Sequence, residues 1–85
     1  MTDLAIRDES LQPLVLLGND QEWSSRSLES LLAPAGFRTI RAYTGGQLLQ
    51  LASTRSVEAI LVDRSLPDMC GAEAVSRLRA LPGFD

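Results

Sequence analysis

Apolar residues fall along this chain in runs of two kinds, and their alternation predicts its elements. Pro13 introduces Leu14-Val15-Leu16-Leu17, a continuous apolar run of strand length closed by Gly18-Asn19-Asp20. A run without polar alternation suits a strand covered on both faces, as in parallel sheets. From Gln21 to Ala35 the apolar positions Trp23, Leu28, Leu31, Leu32 and Ala35 recur mostly at spacings of three and four, which predicts a helix. Pro34 lies in its last turn, and Gly36 follows as a C-cap. Arg38-Thr39-Ile40-Arg41-Ala42 alternates, as a more exposed strand at a sheet edge would.

Thr44 then caps a helix from Gly45 to about Thr54, with Leu48, Leu49 and Leu51 as its buried stripe. Two glycines, Gly45 and Gly46, weaken its start. Val57 to Val62 has the composition of a third strand buried on both faces. The loop through Pro67 leads to a helix over about Gly71 to Leu81, with Ala74, Val75, Leu78 and Leu81 at periodic positions, and Pro82-Gly83 ends it. Residues 1–12 form a polar tail ahead of one domain over 13–85. The order is β-α-β-α-β-α with right-handed parallel crossovers, so the fold class is α/β.

Composition narrows the chemistry. Eighty-five residues give one small domain, and the formal charge of −3 argues against nucleic-acid binding by this segment. All eight basic residues are arginines; there is no lysine and no histidine. That excludes an imidazole base, a Ser-His triad, a Schiff base and a Walker-type phosphate lysine. Cys70 is alone, so no disulfide framework exists and a reducing compartment is the simpler assumption. The stretch Met1–Glu9 carries acids and no long apolar core, unlike a signal peptide. No apolar run approaches the roughly 20 residues of a membrane helix. The expectation is a cytoplasmic protein with no membrane partner.

The segment Ile60-Leu61-Val62-Asp63-Arg64-Ser65-Leu66-Pro67-Asp68-Met69-Cys70-Gly71 ends an apolar strand on a carboxylate. It resembles the phospho-acceptor segment of the bacterial response-regulator receiver domain: strand, Asp, two variable residues, apolar, Pro, variable, Met, variable, Gly. Asp63, Leu66, Pro67, Met69 and Gly71 meet the fixed positions, and Cys70 stands where the family usually has Asp. Receivers also place an acidic pair after the first strand, one helix before a glycine. Asp20 matches the second acid, Asn19 replaces the first, and Gly36 lies at the expected distance. Leu78-Arg79-Ala80-Leu81-Pro82 looks like the end of the family's third helix.

The resemblance covers residues 14 to about 83. It implies a parallel three-layer βαβαβα arrangement with strand order 2-1-3, like the first half of a flavodoxin-like receiver. The Ser or Thr of a fourth strand and the lysine of a fifth have no counterpart. The expectation is therefore a truncated receiver, a cut fragment of a longer regulator rather than a naturally shortened one, inactive in phosphotransfer by itself and not an enzyme.

Strands one and three would be neighbours about 4.8 Å apart, with Asp20 and Asp63 facing each other at the carboxyl rim. Two carboxylates that close repel unless a cation sits between them, and Mg²⁺ suits one or two carboxylates plus waters. The resemblance implies Mg²⁺ held by Asp20, Asp63 and the backbone carbonyl of Ser65. Asn19 would hold a metal-bound water, and its lost charge would loosen the binding. Asp63 would be the nucleophile toward a phosphohistidine on a sensor histidine kinase or phosphotransfer protein. Plainer roles stand beside these. Asp20 is equally an N-cap of the first helix, Asn19 a turn residue, and Asp68 a cap or lead-in of the third helix. Cys70 is a bystander, Trp23 a packing residue, and Ser24, Ser25, Ser27 and Ser30 a solvated helix face.

Three functions compete: a signalling receiver, a pseudo-receiver that binds a partner without phosphorylation, and a nucleotide- or flavin-binding enzyme. The third is weakest, because Gly45-Gly46 is not a Gly-x-Gly-x-x-Gly turn and the loop after strand one has too little glycine to cradle a phosphate. The third strand, with an open apolar edge, is expected to pair with another copy and give a homo-oligomer.

Overall fold

The computed structural model describes residues 12–84. The tail expected over 1–12 lies, apart from Gln12, outside the described residues. The elements are β1 (Leu14–Gly18), α1 (Glu22–Leu32), β2 (Arg38–Ala42), α2 (Gly45–Thr54), β3 (Ala59–Val62) and α3 (Gly71–Arg79). The strands form one parallel sheet in the order β2-β1-β3. The α/β class, the element order and the strand order are those expected from the sequence.

β1 is buried throughout, as its unbroken apolar run requires of a central strand. Its two faces serve different helices. Leu14 and Leu16 join Ala42, Leu48, Ala52 and Leu78 in one apolar core under α2 and α3. On the other face Leu17 and Leu28 of α1 line one small cleft. The sheet is thus the middle of three layers.

Four details differ from the sequence expectation. α1 stops at Leu32, and Ala33–Ala35 tighten into a single 3-10 turn. Pro34 causes this: it has no N–H for Ser30, and its ring crowds that carbonyl. Gly36 then takes a left-handed φ of 94° and closes the turn on Ala33. Second, α1 turns inward not Trp23 and Leu31, which are 71% and 72% exposed, but Ser25, 1% exposed, with Leu28 and Leu32 partly buried. Ser25, Leu28 and Leu32 are spaced three and four apart, and Trp23 lies on the opposite side of the helix. Ser25 therefore leaves the proposed solvated face.

Third, β3 begins at Ala59 rather than Val57 and is not buried on both faces: Ala59 and Leu61 are exposed while Ile60 and Val62 are partly buried. It is an edge strand, and α1 packs beside β2, leaving Leu61 open. Fourth, α3 ends at Arg79, with Ala80 and Leu81 closing short bonds to Arg77 and Leu78. In α2 the fully buried side chains are Leu48 and Ala52, with Leu49 and Leu51 partly covered.

Candidate functional site

The chain order β1-α1-β2 carries the sheet to one side of β1, and β3 returns on the other. The carboxyl rim between β1 and β3 is therefore the point where an open α/β sheet forms its crevice. Gly18 pairs with Val62, so Asn19 and Asp63 leave the sheet side by side. A small cleft of about 170 Å³ opens there, lined by Gly18, Asn19, Leu28, Leu61 and Asp63. A larger groove of about 510 Å³ runs along the β3 edge and α3, among Val57, Ile60, Val75 and Phe84. It carries no acid of the rim.

Asp63 is partly buried. Its N–H donates to the Gly18 carbonyl at 2.8 Å, which extends the ladder one residue past β3. Its Oδ1 accepts the Arg64 N–H at 2.8 Å, which fixes the carboxylate at the mouth of the loop. Asp20 is exposed and accepts a long bond from the Gln21 side chain at 3.5 Å. It is not the cap of α1: the N-cap position is Gln21, with no side-chain cap bond. Asn19 takes the turn role, its Oδ1 accepting the Gln21 N–H at 2.5 Å. Its backbone is held from two sides, by its N–H to Ala42 and by Arg41 Nε donating to its carbonyl at 3.1 Å. Arg41 also stacks on Tyr43, 3.9 Å from the ring centre. Nothing in the local sequence singled out Arg41, because its partner lies 22 residues away.

The loop from Asp63 to Gly71 is a tight structure in its own right. Gly71 N–H donates to the Arg64 carbonyl at 2.7 Å and Leu66 N–H to Met69 at 2.9 Å, while Ser65 bridges Cys70. Leu66 is buried and Ser65 exposed. Gly71 has to be glycine: a Cβ there would overlap the Asp63 carbonyl and come within 3.2 Å of Arg64 backbone atoms. Cys70 is exposed and occupies the N-cap position of α3 without a side-chain bond.

Asp68 corrects the sequence reading. It neither caps nor leads α3; its carboxylate accepts the N–H groups of Gly45 at 2.7 Å and Gly46 at 3.0 Å, at the start of α2. These two bonds hold its carboxyl below the usual range, with a smaller contribution from the Arg77 charge. Thr44 supplies the expected cap, its Oγ1 accepting Gln47 N–H at 3.0 Å. The glycines that weaken the helix start on propensity have a purpose in packing. Met69 lies where a Gly45 Cβ would be.

Trp23 stands in solvent and is no packing anchor. Among the described residues no group of three or more His, Cys, Asp or Glu side chains converges as a metal site. Two carboxylates and a carbonyl, all hard oxygen donors, are the donor chemistry that suits a largely hydrated Mg²⁺ rather than a fully protein-caged metal. Among the described residues no helix is long and apolar enough to cross a membrane.

No protein-family model matches the chain. It is 33% identical over 66 residues to the transcriptional regulatory protein KdpE of Mycobacterium tuberculosis, covering 78% of this chain and 29% of KdpE. It is 31% identical over 65 residues to the polar-differentiation response regulator DivK of Brucella ovis, covering 76% and 53%. Among solved structures, a CheY-like response regulator receiver domain from Methylobacillus flagellatus superposes with a TM-score of 0.79 at 32% identity, covering 84% of this chain and 60% of that one. The receiver domain of a sensor histidine kinase from Pseudomonas aeruginosa, solved with a magnesium ion coordinated in its active site cleft, superposes with a TM-score of 0.80 at 27% identity, covering 86% and 60%. The chain spans less than two thirds of each of these proteins.

Proposed function

The chain belongs with the receiver domains of response regulators, matching part of their length, and on that premise we propose that Asp63 is the phospho-acceptor of the intact domain. The observation that carries this is the position of Asp63: a partly buried carboxylate leaving β3 beside the end of β1, on a loop braced by Gly71. The donor would be a phosphohistidine on a sensor histidine kinase or phosphotransfer protein in the cytoplasm. An Asp63 oxygen would attack phosphorus, the new O–P bond forming as the P–N bond breaks and the imidazole leaves with a proton. Mg²⁺, held by Asp20, Asp63 and the Ser65 carbonyl, would offset charge on the phosphoryl oxygens. Asn19 supplies a neutral oxygen already engaged by Gln21, so affinity for the ion is expected to be low. With no lysine anywhere in the chain, the 85 residues are proposed to be inactive in phosphotransfer by themselves, while the rim carboxylates are still expected to bind Mg²⁺ and beryllofluoride. The module is a signalling acceptor rather than an enzyme.

Binding therefore tests the proposal better than turnover. Beryllofluoride with Mg²⁺ mimics the acyl phosphate at an acceptor carboxylate. Saturable binding in the parent and none in Asp63→Asn is the expected result; equal binding in both would remove Asp63 from the role.

The unpaired edge of β3 favours a second reading, an interaction module that pairs with its own copy. Leu61 is 42% exposed, and no described strand lies beyond β3. An antiparallel pairing centred on Leu61 sets Ile60 opposite Val62 of the second copy, and Glu58 opposite Arg64, an attractive charge pair on each side. Light scattering should then show a dimer that Glu58→Arg dissociates and Glu58→Arg/Arg64→Glu restores. A monomer at high concentration would remove this reading.

A further inference from the structure

We propose that Asp68 is a positioning residue that ties the phospho-acceptor loop to the first turn of α2, so that occupancy at Asp63 and order at the α2 N-terminus are coupled. The inference rests on the acceptor reading of Asp63 and adds to it a second element that responds. Its basis is geometric. The loop is closed at its base by the Gly71 N–H to the Arg64 carbonyl and at its neck by the Leu66 N–H to Met69. At its far end it has two attachments, both to α2. The Asp68 carboxylate takes the N–H groups of Gly45 and Gly46, one on each oxygen, and Met69 fills the space that a Gly45 side chain would need.

Those two N–H groups belong to the unpaired first turn of a helix, which an anion satisfies doubly, by hydrogen bonds and by the helix dipole. Asp68 is exposed, yet its direction is set by two partners 22 and 23 residues upstream. Leu66 is buried and anchors the loop from beneath, so the segment from Asp63 to Met69 behaves as a stiff arm. Any adjustment of Asp63 or of the Ser65 carbonyl toward a bound group is carried along that arm. It must either move the start of α2 or break the Asp68 bonds. Coupling of this kind is reciprocal: if ligand at Asp63 alters the α2 turn, cutting the tie must alter affinity at Asp63.

The experiment is an NMR titration of the 85-residue chain with Mg²⁺ and beryllofluoride, following the amides of Arg64, Gly45 and Gly46 in the parent, Asp68→Ala, Asp68→Asn and Asp63→Asn. In the parent all three amides should shift along one saturation curve. In Asp68→Ala the Arg64 response should remain, with affinity weakened about fivefold or more, while Gly45 and Gly46 stop following it. Asp68→Asn keeps one acceptor oxygen and should fall between, which covers the case of an Asp68→Ala protein that does not fold. Unchanged tracking of Gly45 and Gly46 in both Asp68 variants overturns the coupling. So does silence of those amides in a parent whose Arg64 responds. An Arg64 amide that is silent in the parent, or that responds equally in Asp63→Asn, overturns the acceptor reading itself and the coupling with it.

Discussion

Gly71→Ala puts two opposed effects in competition, and the structure decides which is larger. Gly71 opens α3 with ordinary helical geometry, so its backbone does not demand glycine. Restricting the unfolded chain should then favour alanine by about 0.4–1 kcal/mol. Against this, the new Cβ would overlap the Asp63 carbonyl and lie 3.2 Å from both the Arg64 Cα and its carbonyl oxygen. All of these are backbone atoms and cannot rotate away. Relief requires shifting the junction of β3 and the loop, an overpacking cost of about 1–3 kcal/mol. The 2.7 Å bond from Gly71 N–H to the Arg64 carbonyl would suffer as well, at about 0.5–1.5 kcal/mol. The balance is a loss of about 2 kcal/mol, or a fall in Tm of about 8–16 °C for a domain of this size. Gly45→Ala is the matched comparison. The three atoms nearest its Cβ are the Cγ, Sδ and Cε of Met69, a flexible side chain that can swing aside where backbone cannot, so its loss should stay below about 1 kcal/mol. Urea unfolding followed by far-UV circular dichroism measures both; the exposed Trp23 is a poor reporter. Gly71→Ala at parental stability, or less damaging than Gly45→Ala, would refute the reasoning.

Leu48→Ala removes a fully buried side chain that rests against Gly18, and should cost about 2–5 kcal/mol in urea unfolding. Ser25→Ala should do the reverse. The Ser25 hydroxyl is buried with no hydrogen-bond partner among the described residues, so its removal is expected to raise stability by about 1 kcal/mol. The Asp68 carboxyl is depressed below 3.8 in the folded protein, so its contribution is fully present above the unfolded value and disappears as pH falls through the folded one. The stability gap between the parent and Asp68→Asn should accordingly be constant from neutral pH to about pH 5 and close in stronger acid; a gap that widened in acid would contradict the assignment.

Local signals in the sequence carried the elements that local physics determines. The apolar run Leu14–Leu17 specified a buried central strand, Thr44 a helix start, and Asp63 to Gly71 an acid-ended strand with a glycine-braced loop. Periodicity failed in α1 because apolar residues lie on more than one face. Trp23 and Leu31 outweigh Ser25 in any hydrophobic pattern, yet only the serine turns fully inward. β3 looked doubly buried because composition cannot tell a central strand from an edge. Asp68 escaped because its partners, Gly45 and Gly46, are distant in sequence and present only N–H groups, which no residue pattern advertises.

The central claim is that Asp63 is an acceptor carboxylate at the sheet rim, and the Arg64 amide reports on it directly, being bonded to Asp63 Oδ1. Titrating the folded chain with beryllofluoride in the presence of Mg²⁺ should displace that resonance saturably in the parent and leave it still in Asp63→Asn. A parent whose Arg64 amide does not respond, or a variant that responds as the parent does, would contradict the account.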